Sequence, residues 1–512
     1  MSETSLQIPK ESIFKRTKLD QIYAEVQKVY LETRLPLVIG YSGGKDSTAT
    51  VQLVWNALAQ IPREQLEWPV YIIASDTLVE TPVIVDHLNV TLSKMNKSAE
   101  EQGLPFEAHK VVPKTTDTFW VNLIGRGYPA PTQKFRWCTE RMKIQPANQF
   151  ILDRTEEFGQ VVMVLGSRKA ESASRAQIIN REEEKRSVTG SELRYHNVIR
   201  KAYVYTPIQE WLVDDVWTYL LQVPSPYGGD NRALQAMYRS ANQDECPLVI
   251  DDTTPSCGNS RFGCWTCTVV TRDKSMEAMI DNGQEWMLPL LEFRDWLTLT
   301  QVPADKYKYR EHKRRNGRIL IDATSIAGER LRGLRQIEEH VENEGDASIE
   351  TAKLVYGPYK MSFRKEMLHR LLETQEIVRR DGPNPNEELI TEAELHEIRR
   401  LWRTESMDWE DSVPQIYYDV TGHELDWLQD DIGAFSAPEY KLLDEICGDS
   451  NIPTELVAKL LEQERQMQGM HRRAKIFQRL DQVLSEDWRD EETIRKQYNL
   501  PSREDTDETE SL

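Results

Sequence analysis

The first half of the chain predicts an α/β fold on a mostly parallel sheet, and three observations predict it. Short apolar runs alternate with amphipathic stretches, each of those runs ends in glycine or polar residues, and a glycine-rich turn joins one run to the next helix. Lys18 to Glu32 sets Leu19, Ile22, Val26, Val29 and Tyr30 on one helical face. Leu35 to Tyr41 (LPLVIGY) reads as a buried strand, and Asp46 to Leu58 as a helix. Val70 to Ala74 (VYIIA) is the second strand, with a helix after Pro82. Phe106 to Val112 is a weaker strand and Val161 to Leu165 (VVMVL) a strong one. In open α/β sheets, ligands sit at polar strand ends of this kind.

A chain of 512 residues is too long for one ordinary core, so two or three packed units are expected. With 39% hydrophobic and 29% charged residues, and a mean hydropathy of -0.60, it reads as soluble. No run approaches the ~18 apolar residues of a membrane-spanning helix, so no membrane partner is expected. The opening MSETSLQIPKESIFKR lacks the apolar core of a secretory signal, which predicts a cytoplasmic protein. Six cysteines are too few for a disulfide scaffold of this length, and in a reducing compartment clustered cysteines read as metal or catalytic groups.

The net charge of -20 argues against non-specific coating of nucleic acid by the whole protein. Locally the balance reverses. Lys306, Lys308, Arg310, Lys313, Arg314, Arg315 and Arg318 face one acid, Glu311, with Tyr307 and Tyr309 interleaved. Such a segment suits a phosphate backbone and a stacking surface, or equally a solvated helix face.

Ser42-Gly43-Gly44-Lys45-Asp46-Ser47 lies between a predicted strand and a predicted helix. Its glycines let backbone approach a phosphate, and the helix start offers free N–H groups to an anion. Ser42, Lys45 and Ser47 add hydroxyls and a point charge. The spacing is not that of the P-loop, which ends in Gly-Lys-Ser or Gly-Lys-Thr.

Three cysteines, Cys257, Cys264 and Cys267, fall within eleven residues, with Cys138 and Cys246 upstream and Cys447 alone in a helical region. A metal site is the stronger reading of that grouping. Zinc and a 4Fe–4S cluster both accept four thiolates, so ligand chemistry alone leaves the two open.

The SGGKDS turn resembles the pyrophosphate loop of the ATP pyrophosphatase superfamily, whose members cleave ATP between the α and β phosphates. Ser75-Asp76-Thr77 with Glu80-Thr81-Pro82 is similar to the strand end that holds adenosine there. Gly166-Ser167-Arg168-Lys169-Ala170-Glu171-Ser172 with Arg175 resembles the G-x-R-x-x-E-S-x-x-R element of sulfate-nucleotide enzymes, whose arginines pair with oxyanions. Pro207-Ile208, Trp211 and Asp215-Val216-Trp217 resemble a P-I-x-x-W-x-x-x-D-V-W helix of the same superfamily. The resemblance implies an adenine-nucleotide alpha-hydrolase-like (Rossmann-like) sheet with helices on both faces. It also implies ATP with Mg2+ held by Ser42, Gly43, Gly44, Lys45, Asp46, Ser47, Asp76, Gly166, Arg168, Glu171 and Arg175, with Lys45 and Asp46 in catalysis.

The elements RWCTERMKI around Cys138 and GCWTCT around Cys264 and Cys267 look like the two cysteine-bearing regions of iron–sulfur adenylylsulfate reductases. Those enzymes carry paired cysteines in the first region, whereas Trp137 precedes Cys138 here. The comparison implies a 4Fe–4S cluster on Cys138, Cys257, Cys264 and Cys267, with Cys246 as the runner-up ligand or a catalytic persulfide carrier. The E-C-G element with a nearby histidine that supplies the nucleophile of sulfonucleotide reductases is missing, since Cys447 stands in EICGDS.

The ordered set, with YGGDNRALQAMYRSANQDECPLVIDDTTPSCGNSRFGCWTCTVV at its middle, is similar to the DndC-type family over most of the chain. That family acts with a cysteine desulfurase and other Dnd-system proteins to replace a non-bridging phosphate oxygen of DNA by sulfur. The resemblance thus implies an ATP-dependent sulfurtransferase of DNA phosphorothioation. A tRNA thiolase or sulfonucleotide reductase of the same superfamily is the neighbouring alternative, and a nucleotide-binding, DNA-associated scaffold the alternative of another class. The expected organisation is a flexible N-terminus (1–17), an ATP pyrophosphatase-like nucleotide-binding domain (18–226), a cysteine-rich iron–sulfur segment (227–302), a helical, charged C-terminal region (303–501) and an acidic tail (502–512).

Overall fold

Near-continuous burial along the strands explains the sheet better than any single residue does. The computed structural model describes residues 9, 11–171, 176–177, 192–196, 198–241, 263–345, 349–425, 427, 435–450, 452–467, 475–498 and 500. The chain divides into two units, one of Met1–Lys114 with Gln133–Glu285 and one of Thr115–Thr132 with Trp286–Leu512.

The first unit holds strands β1 (Leu37–Tyr41), β2 (Val70–Ser75), β3 (Phe106–Val111), β4 (Val161–Val164), β5 (Arg194–Tyr195) and β6 (Ala202–Tyr205). Their order is β3-β2-β1-β4-β6-β5, and every pairing is parallel except β5 with β6. Successive side chains of a strand point to opposite faces. Leu37, Ile39, Val70, Ile72, Val162 and Val164 accordingly pack under one helical layer, which includes α1 (Leu19–Thr33) and α2 (Lys45–Leu58). Val38, Tyr71, Ile73 and Val161 pack on the other face with Ile151 of the helix Gln145–Phe158. Helices cover both faces, which is why these strands read as continuous apolar runs. Trp55 of α2 is fully buried and stacks on Phe106 with ring centroids 4.3 Å apart, so this aromatic pair ties α2 to an edge strand.

The strand order has one reversal. The chain steps outward through β1, β2 and β3, then returns with β4 to the free side of β1, where Leu37 is in register with both Val70 and Val162. The loops after β1 and β4 therefore leave the sheet side by side, at the position where open α/β sheets bind ligands.

One expected helix starts late. Pro207 to Glu210 forms turns, and the helix runs from Val213 to Gln222. The Asp215 carboxylate accepts the Leu212 N–H at 2.8 Å and the Ile13 N–H at 3.1 Å, and it also pairs with the Ser12 hydroxyl. Asp215 thus satisfies the helix start and pins the N-terminal segment.

The second unit is helical, as its composition suggests, but it also contains a three-stranded antiparallel sheet in the order β8-β7-β9. These strands are Ile321–Ser325 (β7), Arg330–Arg332 (β8) and Ile349–Leu354 (β9). Their alternation is short and charged on the open face, so it is hidden in a Glu- and Arg-rich stretch. Ile321, Ala323, Leu331 and Leu354 cover a core that also takes Ile494 and Leu500. Arg364 is buried in the helix Met361–Asp381 of this unit. It donates to the Ile124 carbonyl at 2.6 Å and the Ser406 hydroxyl at 2.9 Å, and also to the Gly125 carbonyl. Burial pushes its guanidinium down to about 9. Trp402 Nε1 donates to the same Ile124 carbonyl at 2.9 Å, so these two side chains fix residues 115–132 within this unit. Among the described residues, no helix is long and apolar enough to cross a membrane.

Candidate nucleotide site

The turn after β1 is cross-tied from within. Ser42 N–H donates to Ser47 Oγ at 3.2 Å, Ser47 Oγ donates to the Gly44 carbonyl at 3.0 Å, and the two serine hydroxyls lie 3.1 Å apart. Gly43 has φ of 72°, a left-handed conformation that residues with a Cβ rarely adopt. Gly44 then caps α2, whose first turn presents backbone N–H groups and the positive end of the helix dipole.

The turn after β4 meets this loop because β4 is in register beside β1. A Cβ on Gly166 would stand 2.9 Å from the Asp46 carbonyl oxygen and 2.8 Å from Thr50 Oγ1, so only glycine permits this approach. The close passage brings Arg168, 2% exposed, to α2. Its Nε donates to Asp46 Oδ1 at 2.6 Å, and one terminal nitrogen lies 4.0 Å from Glu171 Oε1. Lys45 Nζ is 3.3 Å from Asp46 Oδ2. Asp46 thereby links the two cations, Lys45 and Arg168, that sequence reasoning assigned to phosphate. Ser42 to Ser47, Gly166, Arg168 and Glu171 come together around Asp46. Arg175 lies outside the described residues.

Asp76 ends β2. Its Oδ1 accepts the Leu78 N–H at 2.8 Å, holding Leu78 at φ 62°, and its Oδ2 pairs with Lys110 Nζ at 3.1 Å. Next to it, the start of the second thiol region is built into the same strand end. Glu80 and Cys264 form an antiparallel bridge, Trp265 N–H donates to the Val79 carbonyl at 2.9 Å, and Cys264 Sγ lies 3.3 Å from Thr77 Oγ1 and 3.5 Å from Glu80 Oε1. Lys143 Nζ, from the Cys138 region, pairs with Glu80 Oε1 at 3.4 Å.

Burial pushes the Cys264 thiol well above its ordinary range, with the Glu80 carboxylate adding to the rise. Cys138 is also raised, first by burial and then by the neighbouring Cys267. Cys267 thus lies within electrostatic reach of both Cys138 and Cys264. Soft, buried thiols raised in this way are the groups that a bound cation deprotonates. Among the described residues, however, no group of three or more His, Cys, Asp or Glu side chains is disposed to hold a metal. Cys257 and Cys246 lie outside the described residues. The donor chemistry fits a thiolate-bound metal. Cys447 is buried in the helix Ala437–Ser450 of the other unit.

Residues 36–270 match the model of the phosphoadenosine phosphosulfate reductase domain. The matched span contains the loop after β1, the Arg168 turn and Cys138, Cys264 and Cys267. An uncharacterized protein of Methanocaldococcus jannaschii is 26% identical over 202 residues, 40% of this chain, and the chain spans 35% of that relative's length. Phosphoadenylyl-sulfate reductase from Candida auris, in its phosphate complex, is 15% identical and covers 43% of this chain and 91% of its own, with a TM-score of 0.26. The U34-tRNA thiolase NcsA from Methanococcus maripaludis, with its 4Fe–4S cluster, is 17% identical and covers 55% of this chain and 78% of its own, with a TM-score of 0.28.

Two residues of the first unit escaped sequence reasoning. Lys110 is the cation beside Asp76, from the adjacent strand. Tyr238 stands over the phosphate loop, its hydroxyl 3.2 Å from Lys45 N. Neither lies in a motif; only strand register and helix packing bring them in.

Proposed function

We propose that this chain is an ATP-dependent sulfurtransferase that activates a backbone phosphate of DNA and helps replace a non-bridging oxygen by sulfur. The observation that carries the ATP half is the intact loop of Ser42 to Ser47 at the sheet's switch point, with Lys45 and Arg168 gathered around Asp46. Backbone N–H groups at the start of α2, Lys45 and the hydroxyls of Ser42 and Ser47 would hold the β and γ phosphates. Lys45 would stabilise the charge that develops as pyrophosphate leaves. The DNA phosphate oxygen attacks the α phosphorus, pyrophosphate departs, and the adenylated phosphate becomes open to a sulfur nucleophile that displaces AMP. Cys138, Cys257, Cys264 and Cys267 would hold an iron–sulfur cluster, which would supply a soft site for sulfur. A cysteine desulfurase would provide that sulfur, and Cys246 is the candidate carrier. The DNA substrate and the Dnd-system partners rest on the resemblance of the ordered motifs to DndC-type proteins.

Pyrophosphate release from ATP tests the first half. Lys45→Ala should cost about ten-fold or more in nucleotide affinity, because it removes a charge-assisted contact; wild-type release in that variant would sink the loop assignment. Mass analysis of nuclease-digested DNA from cells with and without the gene tests the second half. Sulfur-containing dinucleotides should vanish on deletion. Loss of thiolated tRNA nucleosides instead would make the protein a tRNA thiolase, and no change in either, with no ATP turnover, would leave a nucleotide-binding scaffold.

Anaerobically purified protein should be brown, since thiolate-bound iron absorbs visible light and zinc does not. Cys264→Ser and Cys267→Ser should lose iron and colour, and Cys447→Ser should keep both. Colourless protein carrying zinc would overturn the cluster and spare the ATP loop.

A further inference from the structure

We propose that Tyr238 is a plug on the phosphate loop: its hydroxyl takes the Lys45 backbone N–H that a phosphate oxygen would use, and nucleotide binding expels it. The proposal rests on the reading of Ser42–Ser47 as an ATP loop. The packing that delivers Tyr238 follows from helix geometry. The helix Asn231–Ala241 is locked to α2 by a reciprocal amide pair, in which Gln52 Nε2 donates to Asn231 Oδ1 at 2.8 Å and Asn231 Nδ2 donates to Gln52 Oε1 at 3.0 Å. Both side chains are buried, and Asn231 also donates to the Leu220 carbonyl at 2.8 Å. Gln52 to Lys45 is seven residues back along α2, and Asn231 to Tyr238 is seven residues forward along its partner. At ~1.5 Å per residue the two rises match, so the locked pair sends Tyr238 to the start of α2.

Three contacts define the plug. The Tyr238 hydroxyl accepts the Lys45 backbone N–H at 3.2 Å, and it lies 3.1 Å from where a Cβ on Gly44 would stand. Lys45 Nζ lies over the Tyr238 ring, 5.2 Å from its centroid. The far side of the ring packs edge-on against Trp217, at 5.4 Å between centroids. One aromatic side chain therefore engages both donors that Lys45 would offer to a phosphate, its backbone N–H and its ammonium. The hydroxyl is a neutral dipole in a place where the helix start favours an anion, so it is the weaker occupant. Phosphate oxygens bring charge-assisted bonds to the same donors and displace it.

The test is equilibrium binding of ATP with Mg2+, of inorganic pyrophosphate and of adenosine to the full chain and to Tyr238→Phe, which keeps the ring over Lys45 and removes only the competing hydroxyl. A lost neutral hydrogen bond corresponds to about three- to ten-fold in a binding constant, so the variant should bind ATP and pyrophosphate that much more tightly. Adenosine, which has no phosphate, should bind both proteins alike. Unchanged or weaker ATP binding in Tyr238→Phe, or an equal gain for adenosine, would overturn the plug while the ATP reading stands. Wild-type protein that binds neither ATP nor pyrophosphate would instead remove the ATP reading on which the plug depends. A second readout is independent of affinity. ATP should change the tryptophan emission of the wild-type protein, and Trp217→Phe should abolish part of that change, since the ring leaves Trp217; an identical change in both proteins overturns expulsion.

Discussion

Lys45 and Arg168 at the switch point, and the cations of Arg310 to Arg318 in the C-terminal unit, look alike in a sequence and behave differently in the fold. The first pair is sparse: two cations share one carboxylate, Asp46, beside a helix start whose backbone donors face outward from the sheet. The second set is dense but already engaged within its unit. Arg310 donates to the carbonyls of Gly357 at 2.8 Å and Tyr356 at 2.6 Å, and Arg314 to Tyr356 at 3.3 Å. Lys313 pairs with Glu455 at 3.3 Å and lies 4.4 Å from the Trp488 ring centroid. Arg315 bonds the Tyr128 hydroxyl at 3.0 Å and pairs with Glu405. The expected helix face shrinks to Lys306–Tyr309, and Tyr309 packs on Phe363 with centroids 4.8 Å apart. Charge density in a sequence locates cations; the direction in which each side chain leaves the backbone decides whether a phosphate could use it.

Breaking the sparse pair should cost most. Arg168→Leu leaves Asp46 without its nearest guanidinium in a buried setting, and removal of one partner of such a pair destabilises by about 3–5 kcal/mol. Since Asp46 is not itself fully buried, the lower end of that range is expected from urea unfolding, together with loss of ATP binding. Wild-type stability would mean that Asp46 is held by Lys45 alone.

Arg310→Ala should come next. It orphans two backbone carbonyls in the C-terminal unit and should cost about 1–3 kcal/mol in unfolding, without altering ATP affinity. A change in nucleotide binding would break the comparison, because it would give the dense set a role at the loop.

Arg315 sits at the surface, 41% exposed, so Arg315→Ala should cost below about 1 kcal/mol. With Arg314→Ala added, the salt dependence of DNA binding should stay unchanged, because both side chains have partners within the chain. A slope flattened by roughly one unit per residue would show that they leave those partners for phosphates, and the comparison would need redrawing.

The smallest effect sharpens the same contrast from the acidic side. Glu394 is a buried carboxylate that caps its own helix, accepting the Thr391 N–H at 2.9 Å, and burial raises its pKa. A raised carboxyl holds its proton more tightly in the folded protein than in the unfolded chain. Its stabilising contribution is therefore full below the ordinary glutamate value and is lost as pH rises through the folded value. Unfolding measured as pH rises from the ordinary glutamate value should show a shallower loss of stability in Glu394→Gln than in wild type. Identical slopes would mean that this carboxyl does not carry the pH dependence.

Much of the first unit was legible because continuous apolar runs and helical spacing are both written plainly in it. The strands around Ile39, Ile72 and Val162 are apolar on both faces, and α1 repeats its apolar residues at helical spacing. The SGGKDS turn was legible because its residue types are dictated by phosphate chemistry. The sheet β7–β9 was not, since its strands are short and their exposed faces carry Asp322, Arg330, Arg332 and Lys353 in a region already rich in charge. The binding of residues 115–132 to the C-terminal unit was not legible either, because it rests on Arg364 and Trp402, more than two hundred residues away in sequence.

The sequence by itself determined the α/β class, the phosphate loop and the cysteine grouping, because each depends on the order of neighbouring residues and on local geometry. Tertiary structure alone decided that Arg168 reaches Asp46, that Glu80 lies against Cys264, and that Tyr238 stands on Lys45. These contacts join residues between 122 and 193 positions apart. Their physical cause is the strand order, which lays the turns after β1 and β4 side by side, and the amide lock between Gln52 and Asn231, which sets how far a neighbouring helix reaches along α2.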